Sequence, residues 1–166
     1  MIGNYPYNIS SQILFKMVKY RELIPEMVGM FQKEVSDRVI APPGSKTYGV
    51  VSVLVQAYYK GETVVKVNPG SFNPPPKVMS SVIRLTRKEN QDLGCDYGFF
   101  RTVVKTAFGQ RRKMLRNTLK GLIKDPSLLK DSYFTKRPEE LGVEEFVDLT
   151  LKIQASQESI SDIETS

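Results

Sequence analysis

Histidine and tryptophan are absent from this chain of 166 residues, and Cys95 is its single cysteine. Without histidine there is no Ser-His-Asp or Cys-His nucleophilic site and none of the usual zinc sites. One cysteine excludes an intramolecular disulfide and any cluster of thiolate ligands. We therefore expect a protein of a reducing, cytoplasmic compartment whose chemistry requires no metal ion.

Long apolar runs and glycine-rich turns are also lacking. No apolar segment is long enough to span a membrane, so we expect no membrane contact. The spacing G-x-G does not occur, and the stretch PPGSKTYG does not have the spacing of a phosphate-binding loop. A complete nucleotide-type cofactor site is therefore not expected within these residues.

Positive charge is concentrated in one block of the chain. Residues 95–137 hold 11 Lys/Arg and 3 Asp/Glu, whereas residues 138–166 hold 1 and 8. Such a basic block indicates a polyanionic partner, although a solvated helical surface would have the same composition.

The first 90 residues mix helical and strand patterns. Apolar residues at helical spacing predict a helix from Ile9 to Val18, and residues 27–31 form a short apolar run typical of a buried strand. Residues 48–59 favour a helix by spacing, although their β-branched content also fits a strand. Residues 62–67 and 78–85 indicate two strands that are separated by the loop GSFNPPP.

The remaining chain is helical by pattern. Apolar stripes predict helices throughout residues 95–157, and the polar stretch RKENQDLGCD marks a boundary. The predicted fold class is therefore α/β plus all-α. We expect three segments: an α/β domain over residues 1–90, a basic helical domain over 91–157, and a disordered acidic tail over 158–166.

The tetrapeptide Asn4-Tyr5-Pro6-Tyr7 suits one particular reaction. The exocyclic amine of adenine is a poor nucleophile, and two acceptors that bind its N–H groups can direct its lone pair toward a methyl donor. An asparagine oxygen and a backbone carbonyl supply such acceptors, proline holds that carbonyl still, and an aromatic ring stacks on the base. The alternative is an ordinary strand that ends in a turn.

Four blocks carry a resemblance that extends over residues 1 to about 155. They are GNYPYNIS, FQKEVSDRVIAPPGSKTYGVVSVL, VNPGSFNPPPKVMSSVIRL and FGQRRKMLRNTL, in this order. Together they resemble the C-terminal part of the small-subunit rRNA adenine-N6,N6-dimethyltransferase family. The related large-subunit rRNA methyltransferases share the first block but resemble the third and fourth less well.

This resemblance implies S-adenosylmethionine as cofactor and assigns roles to five residues. Asn4 would contact both the donor and the adenine, Tyr7 would stack on the base, and Pro6 would be a rigid spacer. Tyr5 stands where the family usually has leucine and would contribute its backbone carbonyl. Phe72 would be a second surface for the base; alternatively, it fills the end of the sheet.

The resemblance also implies a Rossmann-like methyltransferase sheet of which this chain is the C-terminal half, followed by the small helical domain. The first three strands and most of the cofactor site would precede Met1. We therefore expect the chain alone to bind the donor weakly and to be inactive.

The basic block contains cations that are spaced for a helix. Arg112, Arg116 and Lys120 recur every four residues, with Arg111 and Lys113 beside them, opposite a stripe formed by Leu115, Leu119 and Leu122. Phosphate binding is the functional interpretation, and a solvated face is the alternative. Arg111 and Asn117 could instead be internal ligands of neighbouring helices.

One further cation lies in the α/β part of the chain. Lys33 is a possible phosphate contact, whereas Glu34 and Arg38 are spaced to form an ion pair on one helix.

Three hypotheses of function follow. The first is an enzyme that methylates adenines of small-subunit rRNA within a 30S-type pre-ribosomal particle and is monomeric when intact. The second is a non-catalytic RNA-binding or ribosome-assembly module with the same fold. The third is a DNA adenine methyltransferase, which has a similar tetrapeptide but different flanking blocks.

Overall fold

The computed structural model describes the backbone of residues 1–164 and the side chains of residues 1–159. The chain divides into two compact units, one formed by Met1–Pro42 and Val51–Gln91, the other by Pro43–Val50 and Asp92–Ser166. Residues 43–50, which we had placed in the first domain, therefore group with the second unit.

The first unit contains one mixed sheet of four strands and three α-helices. The strands are β1 (Ile2–Asn4), β2 (Glu26–Gln32), β3 (Tyr59–Val67) and β4 (Ser80–Arg87), and the helices are α1 (Ser10–Lys19), α2 (Lys33–Ile40) and α3 (Val50–Gln56). The strand order is β1-β2-β4-β3, with β1 parallel to β2 and the other two pairs antiparallel. Residues 48–59, which had been ambiguous, contribute α3 and the first residue of β3.

The core of this unit follows from apolar periodicity. In α1 the buried apolar side chains are Leu14, Met17 and Val18, which share one helical face. Burial alternates along β2, with these residues buried: Met27, Gly29 and Phe31. The predicted strand is therefore present, with one face fully buried and the other partly covered, in the two-residue repeat of a strand.

The second unit is built around α4 (Tyr97–Phe108) and α6 (Val143–Glu164), with the short α5 (Leu115–Thr118) between them. Asp96 caps α4 by accepting a hydrogen bond from the amide of Phe99 at 2.8 Å. The predicted apolar stripes form the core, with these side chains fully buried: Phe100, Val103, Val104, Ala107, Leu115, Leu119, Phe146, Leu149 and Ile153.

Two expectations for this unit were wrong. Residues 109–142 are not continuous helix; apart from α5 they form turns and 3-10 helices, at Lys120–Leu122, Pro126–Lys130, Ser132–Thr135 and Pro138–Glu140. The acidic tail expected to be disordered from residue 158 is helical as far as Glu164, because α6 contains neither glycine nor proline to end it. The last two residues of that expectation lie outside the described residues.

None of the helices in the described part of the chain is both long enough and apolar enough to cross a membrane.

Candidate functional site

The tetrapeptide and the proline-rich loop lie at the same edge of the sheet, the one formed by the carboxyl ends of β1 and β2. Strand β1 ends at Asn4, which pairs with Met30 of the parallel strand β2. Strand β3 ends and strand β4 begins at this same edge, since Ser80 is paired with Gln32 on one side and with Val67 on the other. The connection between β3 and β4, residues 68–79, therefore starts and ends where the tetrapeptide lies. Carboxyl ends of parallel strands are where α/β sheets usually bind ligands.

A cavity of about 360 Å³ opens at this edge. It is lined by Asn4, Tyr5, Pro6, Tyr7, Met30, Phe72, Pro74 and Pro76. Its volume lies within the usual range for small-molecule sites, and its walls combine rings, prolines and a single amide. All five residues predicted to form the catalytic site are therefore brought together around one cavity.

Tyr7 is held at two points. Its phenolic hydroxyl makes a hydrogen bond with the hydroxyl of Ser80, the buried first residue of β4. Its backbone carbonyl accepts a hydrogen bond from Oγ of Ser10 at 3.2 Å. Sequence reasoning did not identify the Ser80 contact, although the two serines at the start of the predicted strand in VMSSVIRL were a signal that could have found it.

Tyr5 is directed across the face of the sheet. A Cβ atom added to Gly29 would lie 2.5 Å from Cε2 of Tyr5, so the ring occupies space that a side chain there would need. The ring also stacks on Phe31, with the two centroids 5.2 Å apart. The hydroxyl is buried, has no hydrogen-bond partner among the described residues, and burial raises the pKa of this phenol.

Exposed cations mark the second unit. The side chains of Arg112, Lys113, Arg116 and Lys120 are all exposed. Within the part of the chain that the structure describes, no carboxylate forms an ion pair with any of the four.

We had expected one helix to carry these cations, but they are distributed over several elements. Arg112 and Lys113 precede α5, Arg116 lies within it, and Lys120 begins the following 3-10 helix. The amide of Leu115 donates to the carbonyl of Lys136 at 2.9 Å, instead of to the carbonyl four residues earlier. A tertiary hydrogen bond therefore sets the start of α5 and interrupts the predicted helix.

Arg111 has a different environment from its neighbours. Its guanidinium donates to the carbonyl of Ser45 at 3.0 Å and to the carbonyl of Tyr48, and it lies 4.0 Å from a carboxylate oxygen of Glu139. These contacts fit the alternative that Arg111 is an internal ligand, and they occupy the group that had been expected to bind RNA.

The cations of α2 are also paired. Nζ of Lys33 lies 2.5 Å from Oδ2 of Asp37. The predicted pair of Glu34 and Arg38 forms, with its oxygen and nitrogen 3.1 Å apart. Lys33 is therefore engaged within its own helix and is not among the unpaired cations.

Comparison of the sequence with known proteins identifies one matching family and several close relatives. A family model described as "Ribosomal RNA adenine dimethylase" matches residues 1–146. The chain is 57% identical over 155 residues to "Ribosomal RNA small subunit methyltransferase A" of Bacteroides fragilis, covering 93% of this chain and 57% of that protein. The protein of the same name from Flavobacterium johnsoniae is 56% identical over 155 residues, covering 93% and 59%. The chain thus spans less than two thirds of the length of these curated relatives.

Solved structures show the same likeness. A dimethyladenosine transferase from Plasmodium falciparum superposes with a TM-score of 0.83 at 27% identity, covering 94% of this chain and 66% of that one. The 23S rRNA methyltransferase ErmE superposes with a TM-score of 0.60 at 19% identity, covering 92% and 64%. The second likeness concerns the fold alone, a methyltransferase-like arrangement of a mixed sheet with helices.

Proposed function

Because the chain belongs to the ribosomal RNA adenine dimethylase family, we propose that it is the target-base and RNA-binding part of an rRNA adenine N6,N6-dimethyltransferase. Its first unit would be the C-terminal half of a Rossmann-like catalytic sheet, and its second a helical RNA-binding domain. The observation that carries the proposal is the convergence of Asn4, Tyr7 and Phe72 on one cavity at the edge of the sheet.

Asn4 is suited to orient the adenine amine. It ends a strand that is fixed by pairing with β2, and its side chain is exposed toward the cavity it lines. Its amide oxygen accepts one N–H of the amine, and a carbonyl of the tetrapeptide accepts the other. The two acceptors thus orient the N–H groups of the adenine amine so that the lone pair of its nitrogen is directed toward the methyl donor.

The two rings are suited to hold the base. Tyr7 and Phe72 come from different segments, and they line the cavity together with Pro74 and Pro76. A flat heterocycle stacks well on aromatic faces, and an enzyme that modifies a base must hold it outside its helix. The cavity is therefore assigned to the target adenine.

The cofactor implied by the family is S-adenosylmethionine, which supplies an already activated methyl group. None of the residues that line the cavity is charged, so the lining offers no charged partner for the carboxylate and ammonium groups of that donor. Asn4 is the lining residue that would contact the donor. The cavity therefore fits the base and the reacting end of the donor, and does not fit the whole cofactor.

The unpaired cations of the second unit are suited to bind RNA. Arg112, Lys113, Arg116 and Lys120 present charge that no carboxylate of the described residues neutralises. Such groups contact phosphates and release counterions, which gives affinity without sequence information. The proposed substrate is small-subunit rRNA in a pre-ribosomal particle of the cytoplasm, with one copy of the protein bound.

A non-catalytic RNA-binding module is the second candidate. Such a module would bind RNA without a methyl donor. The uncharged lining of the cavity and the unpaired cations are both compatible with that, because neither feature depends on a bound donor. Only methyl transfer distinguishes it from the first candidate.

The test uses a chimera in which this chain is joined to the portion of the Bacteroides fragilis relative that it does not span. Purified chimera, S-adenosylmethionine and small-subunit rRNA are incubated, and the digested RNA is analysed for N6,N6-dimethyladenosine by mass spectrometry. We expect methylation, and we expect Asn4→Ala to lower its rate about 100-fold or more while RNA affinity stays unchanged.

Asn8→Ala is the matched control, since Asn8 is exposed nearby but does not line the cavity. A chimera that binds RNA but never methylates it would favour the non-catalytic module. Normal methylation by the Asn4→Ala variant would contradict the role of Asn4 in activating the amine.

A further inference from the structure

We propose that Ser80 is a positioning residue that fixes the ring of Tyr7 as the stacking surface for the target base. This inference rests on the proposed function, because it concerns how the same cavity captures adenine. Its direct basis is the hydrogen bond between the two hydroxyls, which joins residues that are 73 positions apart in the chain.

The backbone of Ser80 is fixed by strand pairing on both sides. It begins β4, a strand with neighbours on both sides, where it pairs with Gln32 of β2 and with Val67 of β3. Its side chain is fully buried. A hydroxyl in such a place has few alternative positions, so a tyrosine bonded to it has the direction of its ring axis fixed.

Tyr7 needs such an anchor because its own segment is short. It begins a 3-10 helix of three residues, Tyr7–Ile9, and its side chain is only half-buried. Oγ of Ser10 holds the backbone carbonyl of Tyr7, but that contact leaves the side chain free to rotate about its Cα–Cβ bond. The Ser80 hydroxyl removes this freedom at the opposite end of the side chain.

The consequence is a preorganised stacking surface. A ring that is already fixed loses little conformational freedom when a base stacks on it, so more of the stacking energy appears as binding. Phosphate contacts are unaffected by this bond, since they are made by cations elsewhere. Loss of the Ser80 hydroxyl should therefore weaken base stacking while the phosphate contacts stay intact.

The experiment uses the full chain and an RNA hairpin with 2-aminopurine in its loop. Fluorescence of 2-aminopurine reports stacking of the base, and anisotropy of a terminal dye reports total RNA affinity. In Ser80→Ala we expect the equilibrium constant for stacking to fall about three- to tenfold, as for loss of one hydrogen bond. Total affinity should fall by no more than the same factor, and its salt dependence should not change, because the phosphate contacts remain.

Two further variants separate positioning from folding. Tyr7→Phe removes the same hydrogen bond from the other side and leaves the buried site intact, so it should reproduce the effect. The double variant Ser80→Ala/Tyr7→Phe should be no worse than either single one. Ser81→Ala is the matched control, because Ser81 is also buried on β4 but its side chain points to the opposite face.

The outcomes distinguish the role of Ser80 from base capture by Tyr7. Unchanged stacking in both Ser80→Ala and Tyr7→Phe, with stacking lost in Tyr7→Ala, would overturn the role of Ser80 while leaving base capture by Tyr7 in place. Unchanged stacking in Tyr7→Ala would overturn base capture itself, and the role of Ser80 with it. Additive losses in the double variant would also overturn the inference, because the two hydroxyls would then act independently.

Discussion

The cavity of the first unit and the cations of the second unit hold their side chains in opposite ways. The cavity residues are fixed by strand pairing, by the Tyr7–Ser80 hydrogen bond and by the stacking of Tyr5 on Phe31. The cations Arg112, Lys113, Arg116 and Lys120 are exposed and carry no ion pair within the described residues; they lie in the turn before α5, in α5 and in the 3-10 helix that follows it. A cavity that must orient one amine requires fixed groups, whereas phosphate binding requires only charge within reach.

This difference predicts two kinds of mutational response. Changes at the cavity should affect one chemical step or one stacked base and should depend on the neighbour of the altered atom. Changes at the cations should act through charge, additively and with strong salt dependence.

Among the variants that test this difference, the largest effect on RNA affinity is expected from reversing two cations. In Arg112→Glu/Arg116→Glu we expect the slope of log affinity against log salt to shrink by about 0.7–0.9 per contact, and affinity at 0.1 M salt to fall about 30-fold. The chain should remain folded, because the buried residues Leu115 and Leu119 are untouched. Filter binding over a salt series measures the slope, and circular dichroism monitors the fold.

Lys60→Glu/Lys66→Glu is the control for net charge, since both lysines are exposed but belong to β3 of the first unit. Equal losses in the two double variants would show that total charge, and not the basic segment of the second unit, determines RNA binding.

The next effect distinguishes adjacent arginines. Arg111→Gln should lower the free energy of unfolding by about 1.5 kcal/mol, because the carbonyls of Ser45 and Tyr48 lose a charged donor. Its salt slope should remain normal. Arg112→Gln should instead leave the free energy of unfolding within about 0.5 kcal/mol of the parent. It should reduce the slope of log affinity against log salt.

Urea denaturation and RNA titration of both variants make this test. If Arg111→Gln reduced the salt slope and left stability unchanged, the division between internal and RNA-binding arginines would have to be redrawn.

What the sequence predicts well in this protein is local. The strand at residues 27–31, the helix that begins near Ile9 and the apolar stripes of α4 and α6 depend on periodicity within one segment, and they appear close to the expected positions. The grouping of the tetrapeptide with Phe72 was accessible because both segments belong to blocks of one family resemblance.

What it predicts poorly depends on distant partners. The contact between Tyr7 and Ser80 and the internal role of Arg111 arise only when the chain is folded. The helix expected to carry Arg112, Arg116 and Lys120 is interrupted because the amide of Leu115 bonds to Lys136, which no local pattern reveals. The error at the acidic tail has the opposite origin: composition suggested disorder, but helix propagation along α6 prevailed.

The smallest effect tests how closely the cavity side is packed. Gly29→Ala should lower the free energy of unfolding by about 1 kcal/mol, because its Cβ would lie 2.5 Å from the Tyr5 ring and would displace it from Phe31. In the background of Tyr5→Leu the same change should cost less than half as much, since a smaller, flexible side chain can move aside. Gly70→Ala is the control, because nothing lies within 4 Å of a Cβ at that position. Urea denaturation of the four variants of the cycle gives the coupling energy; a coupling near zero would mean that the Tyr5 ring is not fixed against the sheet, and that the cavity is held less rigidly than the comparison with the basic segment requires.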